Sequence, residues 1–89
     1  MALQLQIRGR VQGIGYRAAM LDKAVELGIT GWVRNRRDGS VEAVVSGNQD
    51  ALRAIRAWAH NGPSLALVTS VTVTDAEGAF ATFEFRPTA

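Results

Sequence analysis

Leu3, Leu5 and Ile7 alternate with Gln4, Gln6 and Arg8. Apolar residues at every second position fall on one side of an extended chain, so this run predicts a strand with one buried face. The period then changes. From Tyr16 to Leu27 the apolar positions Ala18, Leu21, Ala24 and Val25 recur at three- and four-residue intervals, the stripe of an amphipathic helix. Gly28 followed by Ile29 ends it in the manner of a left-handed cap with its hydrophobic contact. Thr30-Gly31 interrupts the pattern, and Trp32–Asn35 predicts a second strand. Arg36-Arg37-Asp38-Gly39 predicts a hairpin turn, because Asp-Gly tolerates the positive φ that tight hairpins need.

Ser40–Ser46 predicts the third strand, with Val41, Ala43 and Val45 on one face. Asn48 is the expected N-cap of a second helix. That helix buries Ala51, Leu52, Ile55, Trp58 and Ala59 and stops at Asn61-Gly62-Pro63. Val71 and Val73 alternate with Ser70, Thr72 and Thr74 in a fourth strand, Asp75–Gly78 turns, and Phe83 and Phe85 mark a short last strand. The order is βαββαβ with the final β element split in two. A central hairpin makes the sheet mainly antiparallel, and two amphipathic helices must share one of its faces. The expected fold is therefore α/β (α+β), a two-layer sandwich of ferredoxin-like type. Trp32, Trp58, Phe80, Phe83 and Phe85 are expected in its core rather than on a stacking platform.

Composition narrows the chemistry. The 89 residues make one domain, 1–89, small enough that its core must be well packed. No apolar run approaches the ~20 residues of a membrane span. The N-terminus enters the first strand without a basic and apolar leader, which gives an expected cytoplasmic address. The chain has no cysteine and a single histidine, His60. A disulfide framework, a thiol nucleophile and a zinc cage are thereby excluded, and no metal is expected. His60 is expected on the surface or in the last turn of the second helix, where it would favour the helix dipole.

The net charge of +2 is too small to imply nucleic acid. Residues 1–40, however, hold seven basic and three acidic groups, whereas the remainder holds three and five. Arg8, Arg10, Arg17, Arg34, Arg36 and Arg37 give the first half a positive field suited to small anions. Arg36 and Arg37 read more readily as solvated surface charges.

Gly9-Arg10-Val11-Gln12-Gly13-Ile14-Gly15-Tyr16-Arg17 joins the first strand to the first helix. Glycines there allow positive φ and bring successive N–H groups toward one point. Those groups open onto a helix N-terminus, which attracts anions. Arg17 adds a planar fork matched to phosphate oxygens. One reading is a cradle for a phosphate-like dianion; the other is a tight turn followed by a solvated arginine. The spacing matches neither the nucleotide P-loop nor the dinucleotide fingerprint.

No paired carboxylates or serine–histidine pattern offers a nucleophile, so hydrolysis would use water and need a good leaving group. Asn35, at the end of the second strand, could hold that water without titrating. It could equally be an asparagine selected for the turn.

Ile7–Arg17 closely resembles the first signature of the acylphosphatase family. Gly31-Trp32-Val33-Arg34-Asn35, with Gly39, Val41 and Gly47 following, resembles the second, and the likeness continues through Gly62-Pro63 to Phe83-Glu84-Phe85-Arg86. The resemblance implies a small monomeric hydrolase that splits the carboxyl–phosphate bond of acyl phosphates into carboxylate and inorganic phosphate. It implies no metal, cofactor, nucleic-acid or membrane partner. Carried over to this chain, Arg17 and the amides of Gln12, Gly13, Ile14, Gly15, Tyr16 and Arg17 would bind the phosphoryl oxygens. Asn35 would position the attacking water. Ile14 stands where the family usually has valine and Tyr16 where it has phenylalanine. Gly15 replaces what is often a large residue, thinning one wall of the pocket. Two other readings compete. A non-catalytic phosphate- or carbamoyl-phosphate-binding module would have no use for Asn35. RNA binding in the manner of the RNA-recognition motif would need aromatics in the first and third strands, which hold none.

Overall fold

A computed structural model describes residues 1–89. The elements are β1 (Ala2–Arg10), α1 (Tyr16–Leu27), β2 (Thr30–Asn35), β3 (Val41–Ser46), α2 (Gln49–Ala59), β4 (Leu67–Ala76) and β5 (Phe83–Phe85). The strands form one sheet in the order β4-β1-β3-β2-β5. All neighbours are antiparallel except β2 and β5, which run parallel. Both helices lie on one face. This is the expected ferredoxin-like sandwich.

Register divides the sheet into two chemistries. Leu5 faces Ala43 on one side and Val73 on the other, and Val33 also faces Ala43. Side chains directly opposite each other share a face. This inward set joins Tyr16, Met20, Ala24, Leu52 and Ile55 from the helices in the main core. Outward, Ala2, Trp32 and Val44 make a small apolar cluster. Beside it, buried Glu42 accepts from Gln4 Nε2, from Arg34 Nε at 2.7 Å and from Arg36 Nη1 at 3.2 Å. Burial raises the Glu42 pKa, but the bonds from Arg34 and Arg36 outweigh it and hold the carboxyl below its ordinary range.

Helix caps follow the sequence. Asn48 accepts from the Ala51 N–H at 2.8 Å, and Gly28 takes the left-handed conformation while the Ile29 N–H reaches back to the Ala24 carbonyl. His60 is exposed just past α2. The buried stripe of α1 differs from the expected one. Tyr16, Met20 and Ala24 face the sheet, while Ala18 and Val25 are exposed. Tyr16 sets this rotation. Its hydroxyl donates to the Ala59 carbonyl at 2.7 Å and its ring lies 5.4 Å from that of Trp58.

Three strands are longer than the alternation predicted. β1 continues through Gly9 to Arg10, with a register shift after Arg8. A Cβ on Gly9 would stand 2.1 Å from the Leu67 carbonyl oxygen, so this glycine serves β1–β4 packing and not the loop beyond. Thr30-Gly31 is part of β2, where Gly31 lets the Val44 carbonyl approach. β4 begins at Leu67 because Arg10 and Gly9 supply partners for its first residues. The aromatics also divide. Phe83 is in the core and Trp32 is buried on the outer face, whereas Trp58 and Phe80 are half-buried and Phe85 is 51% exposed. No helix is long and apolar enough to cross a membrane.

Candidate active site

Between β1 and α1 the chain alternates between anchored and bare positions. Val11 and Tyr16 are buried in the core, and Ile14 packs against it. Gly13 (φ 76°) and Gly15 (φ 82°) stand between them in left-handed conformations, exposed, with open space where a side chain would project. Gln12 fastens the loop from its other side. Its Nε2 donates to the carbonyls of Arg36 and Ser40 at 2.7 and 2.8 Å, tying the loop to the β2–β3 hairpin.

The first helical hydrogen bond runs from the Ala19 N–H to the Gly15 carbonyl. The N–H groups of Tyr16, Arg17 and Ala18 therefore have no acceptor one turn back, and Gly15 brings no capping side chain. Those of Gln12 to Gly15 are likewise absent from the backbone bonding. Unpaired amides at the positive end of a helix are an anion site. Arg17 stands in the first turn, half-buried, its guanidinium carbon 5.9 Å from the centre of the Phe85 ring. No carboxylate pairs with it.

Asn35 arrives from β2 by strand parity. It lies two residues beyond Val33 and opposite Val41, both inward-facing, so its side chain shares the helix face. Its backbone is held on both flanks, by β3 and by an Ala89 N–H that donates to its carbonyl at 3.1 Å. Its Oδ1 is buried and has no hydrogen-bond partner. An unpaired buried oxygen is expensive, and such groups are kept where function needs them.

A cavity of about 300 Å³ brings these parts together. Gly13, Gly15, Tyr16, Arg17 and Asn35 line it, with Val11 and Ala18 completing the wall and Phe85 at its side. The side chains of Gln12 and Ile14 do not: one is fixed to the hairpin and the other to the core. Phe85 was missed as a cavity residue, because only the parallel pairing of β5 on β2 turns it toward Arg17. Three of the arginines expected to form a broad positive field are paired with carboxylates. Arg34 and Arg36 bind Glu42, and Arg8 lies 3.8 Å from Asp38. Arg36 is thus bonded rather than merely solvated. Ser40 donates to Asp38 from hydroxyl and backbone, which with Arg8 and Arg36 holds that carboxyl below its usual value. Of the arginines, only Arg17 lines the cavity.

No carboxylate or histidine lines it, and the Tyr16 hydroxyl is committed to the core, where burial pushes its pKa up. The cavity can therefore bind an oxyanion and orient a water, without a side chain to exchange protons near neutrality. A family model described as Acylphosphatase matches residues 3–86. The chain belongs to the acylphosphatase family. It is 54% identical over 85 residues to an acylphosphatase of Cupriavidus necator, covering 96% of this chain and 92% of that one. The solved acylphosphatase structure from Bacillus subtilis superimposes with a TM-score of 0.91 at 31% identity, covering 96% of this chain and 97% of that one. One from Coxiella burnetii gives 0.92 at 32% identity, covering 96% and 90%. Acylphosphatases thus share this architecture, and the chain is an acyl phosphate phosphohydrolase by family.

Proposed function

We propose that the β1–α1 loop and β2 divide the hydrolysis of an acyl phosphate between them. The amides from Gln12 to Arg17 and the Arg17 guanidinium hold the phosphoryl oxygens, and Asn35 Oδ1 accepts a hydrogen bond from the attacking water. The observation that carries this reading is the unpartnered Oδ1 of Asn35 in the same cavity as Arg17. Water oxygen bonds to phosphorus while the bond from phosphorus to the carboxyl oxygen breaks. The electron pair leaves with the carboxylate, and the water proton passes to a phosphoryl oxygen. An acyl phosphate dianion and water thus become a carboxylate and dihydrogen phosphate.

A carboxylate is a good leaving group, so positioning and charge stabilisation suffice. The substrate's own phosphate takes the proton that no lining side chain is suited to accept. On this account the single domain 1–89 acts as a monomer in the cytoplasm, and needs no metal or cofactor.

The test is turnover of benzoyl phosphate by purified protein in the presence of a chelator, with inorganic phosphate as competitor. Chelator-resistant, phosphate-inhibited hydrolysis is expected. Arg17→Gln should weaken phosphate inhibition and turnover together, because the guanidinium holds the phosphoryl group in ground and transition states alike. Folded protein that binds phosphate without turnover would leave only a binding module. Near-normal inhibition and rate in Arg17→Gln would remove that residue from its role.

A further inference from the structure

We infer that Phe85 forms the acyl-group subsite and selects acyl phosphates with an aromatic or extended apolar acyl chain; this rests on the hydrolytic reading above. The cavity has a floor and a rim of different character. Asn35 Oδ1 is buried, which places the attacking water at the floor. Gly13, Gly15, Ala18 and Phe85 are exposed and form the rim. In-line displacement puts the departing oxygen opposite the attacking one. With water at the floor, the acyl group therefore points to the rim.

At the rim, the two glycines and the alanine offer little to touch. Phe85 is the large exposed side chain there, at 51% exposure, on a strand where Phe83 two residues earlier is in the core. Its backbone is placed by the parallel pairing of Phe85 with Val33, and the centre of its ring lies 5.9 Å from the Arg17 guanidinium carbon. Space is adequate. At about 30 Å³ per water-sized atom the five heavy atoms of the phosphate, bridging oxygen included, fill about half of the volume, which is about 300 Å³ in all. The remainder accommodates the start of an acyl group lying along the ring. Aromatic faces bind planar apolar groups in offset stacks, and an exposed apolar wall of this size on a polar cavity acts as a specificity element.

The experiment compares kcat/KM for benzoyl phosphate and acetyl phosphate in the wild type, Phe85→Ala and Phe85→Leu. Taking the benzoyl-to-acetyl ratio in each protein cancels the intrinsic reactivity of the two compounds. The ratio is expected to fall about tenfold in Phe85→Ala through KM for benzoyl phosphate, as a lost stacking partner requires. Phe85→Leu keeps apolar bulk on β5 and should lose a smaller part of the ratio, guarding against a folding artefact. The inhibition constant of inorganic phosphate should change less than the ratio does. An unchanged ratio overturns the subsite; where both substrates also lose equally, Phe85 is a support for Arg17. Wild-type protein inactive on both compounds would instead overturn the hydrolytic reading beneath it.

Discussion

Replacing Asn35 by alanine should slow the enzyme and stabilise it at the same time. Asn35 Oδ1 is buried without a partner. A dry, unpaired amide oxygen carries a desolvation cost of about 1–3 kcal/mol. An ordered water satisfying it would instead cost up to about 2 kcal/mol in immobilisation. Alanine removes the acceptor and keeps the Cβ, so little apolar packing is lost. The expected net gain is about 0.5–1.5 kcal/mol, the low part of the range for relieving a buried unsatisfied group. At about 4–8 °C per kcal/mol for a domain of this size, Tm should rise by about 2–12 °C. On the proposed role of Asn35 in orienting the water, its loss should lower kcat by about 100-fold or more with KM little changed. Thermal melts followed by circular dichroism and steady-state kinetics on the same preparation read both effects. Destabilisation by about 1 kcal/mol or more would show that the side chain supports the fold. A raised KM with kcat preserved would assign it to substrate binding.

Tyr16→Phe should cost about 1–2 kcal/mol, because the Ala59 carbonyl at the end of α2 loses the donor it has at 2.7 Å in a buried site; urea melts with an unchanged m-value would confirm it, and an unchanged midpoint would contradict it. Glu42 governs acid sensitivity. Its folded pKa lies below the ordinary value, so its stabilisation is complete above the unfolded pKa of about 4.3 and is lost as pH falls through the lower, folded one. Glu42→Gln should accordingly cost about 1–3 kcal/mol at pH 7, less than a fully buried pair because Arg34 and Arg36 remain partly hydrated. The Tm difference from wild type should shrink toward pH 3, and a difference that stays constant with pH would break the link to the carboxylate.

Much of this architecture is written in local patterns. Alternation at Leu3–Arg8 and Val41–Ser46, the Asp38-Gly39 turn and the Asn48 cap each declare themselves within a few residues. What escaped depends on partners far away in the chain. Gly9 looks like loop glycine until Leu67 is placed beside it, and Gly31 looks like a break until the Val44 carbonyl is seen against it. Val25 fits the helical period as well as Met20 does, but the Tyr16–Ala59 bond decides which of them faces the sheet. The site divides in the same way. Arg17 and the glycine loop are contiguous and legible, and the geometry separates Gly9 from Gly13 and Gly15. The inward turn of Asn35 follows from its even spacing to Val33, and its lack of a partner emerges only in three dimensions. Arg34 and Arg36 could not be separated from Arg17 by charge counting, since Glu42 reaches them across a hairpin.

The central place of β1 has a consequence for how the molecule assembles. Ala2 pairs with Ser46 on one side and with Ala76 on the other. Both neighbours are made later than β1, so during synthesis it waits with open edges until β4 exists. Bringing such distant segments together costs closure entropy before any pairing rewards it. Refolding should therefore be slow for so small a chain, in the millisecond-to-second range of sheet-rich topologies. β1 is therefore enclosed only after the helices and β3 have been made and β4 has followed them.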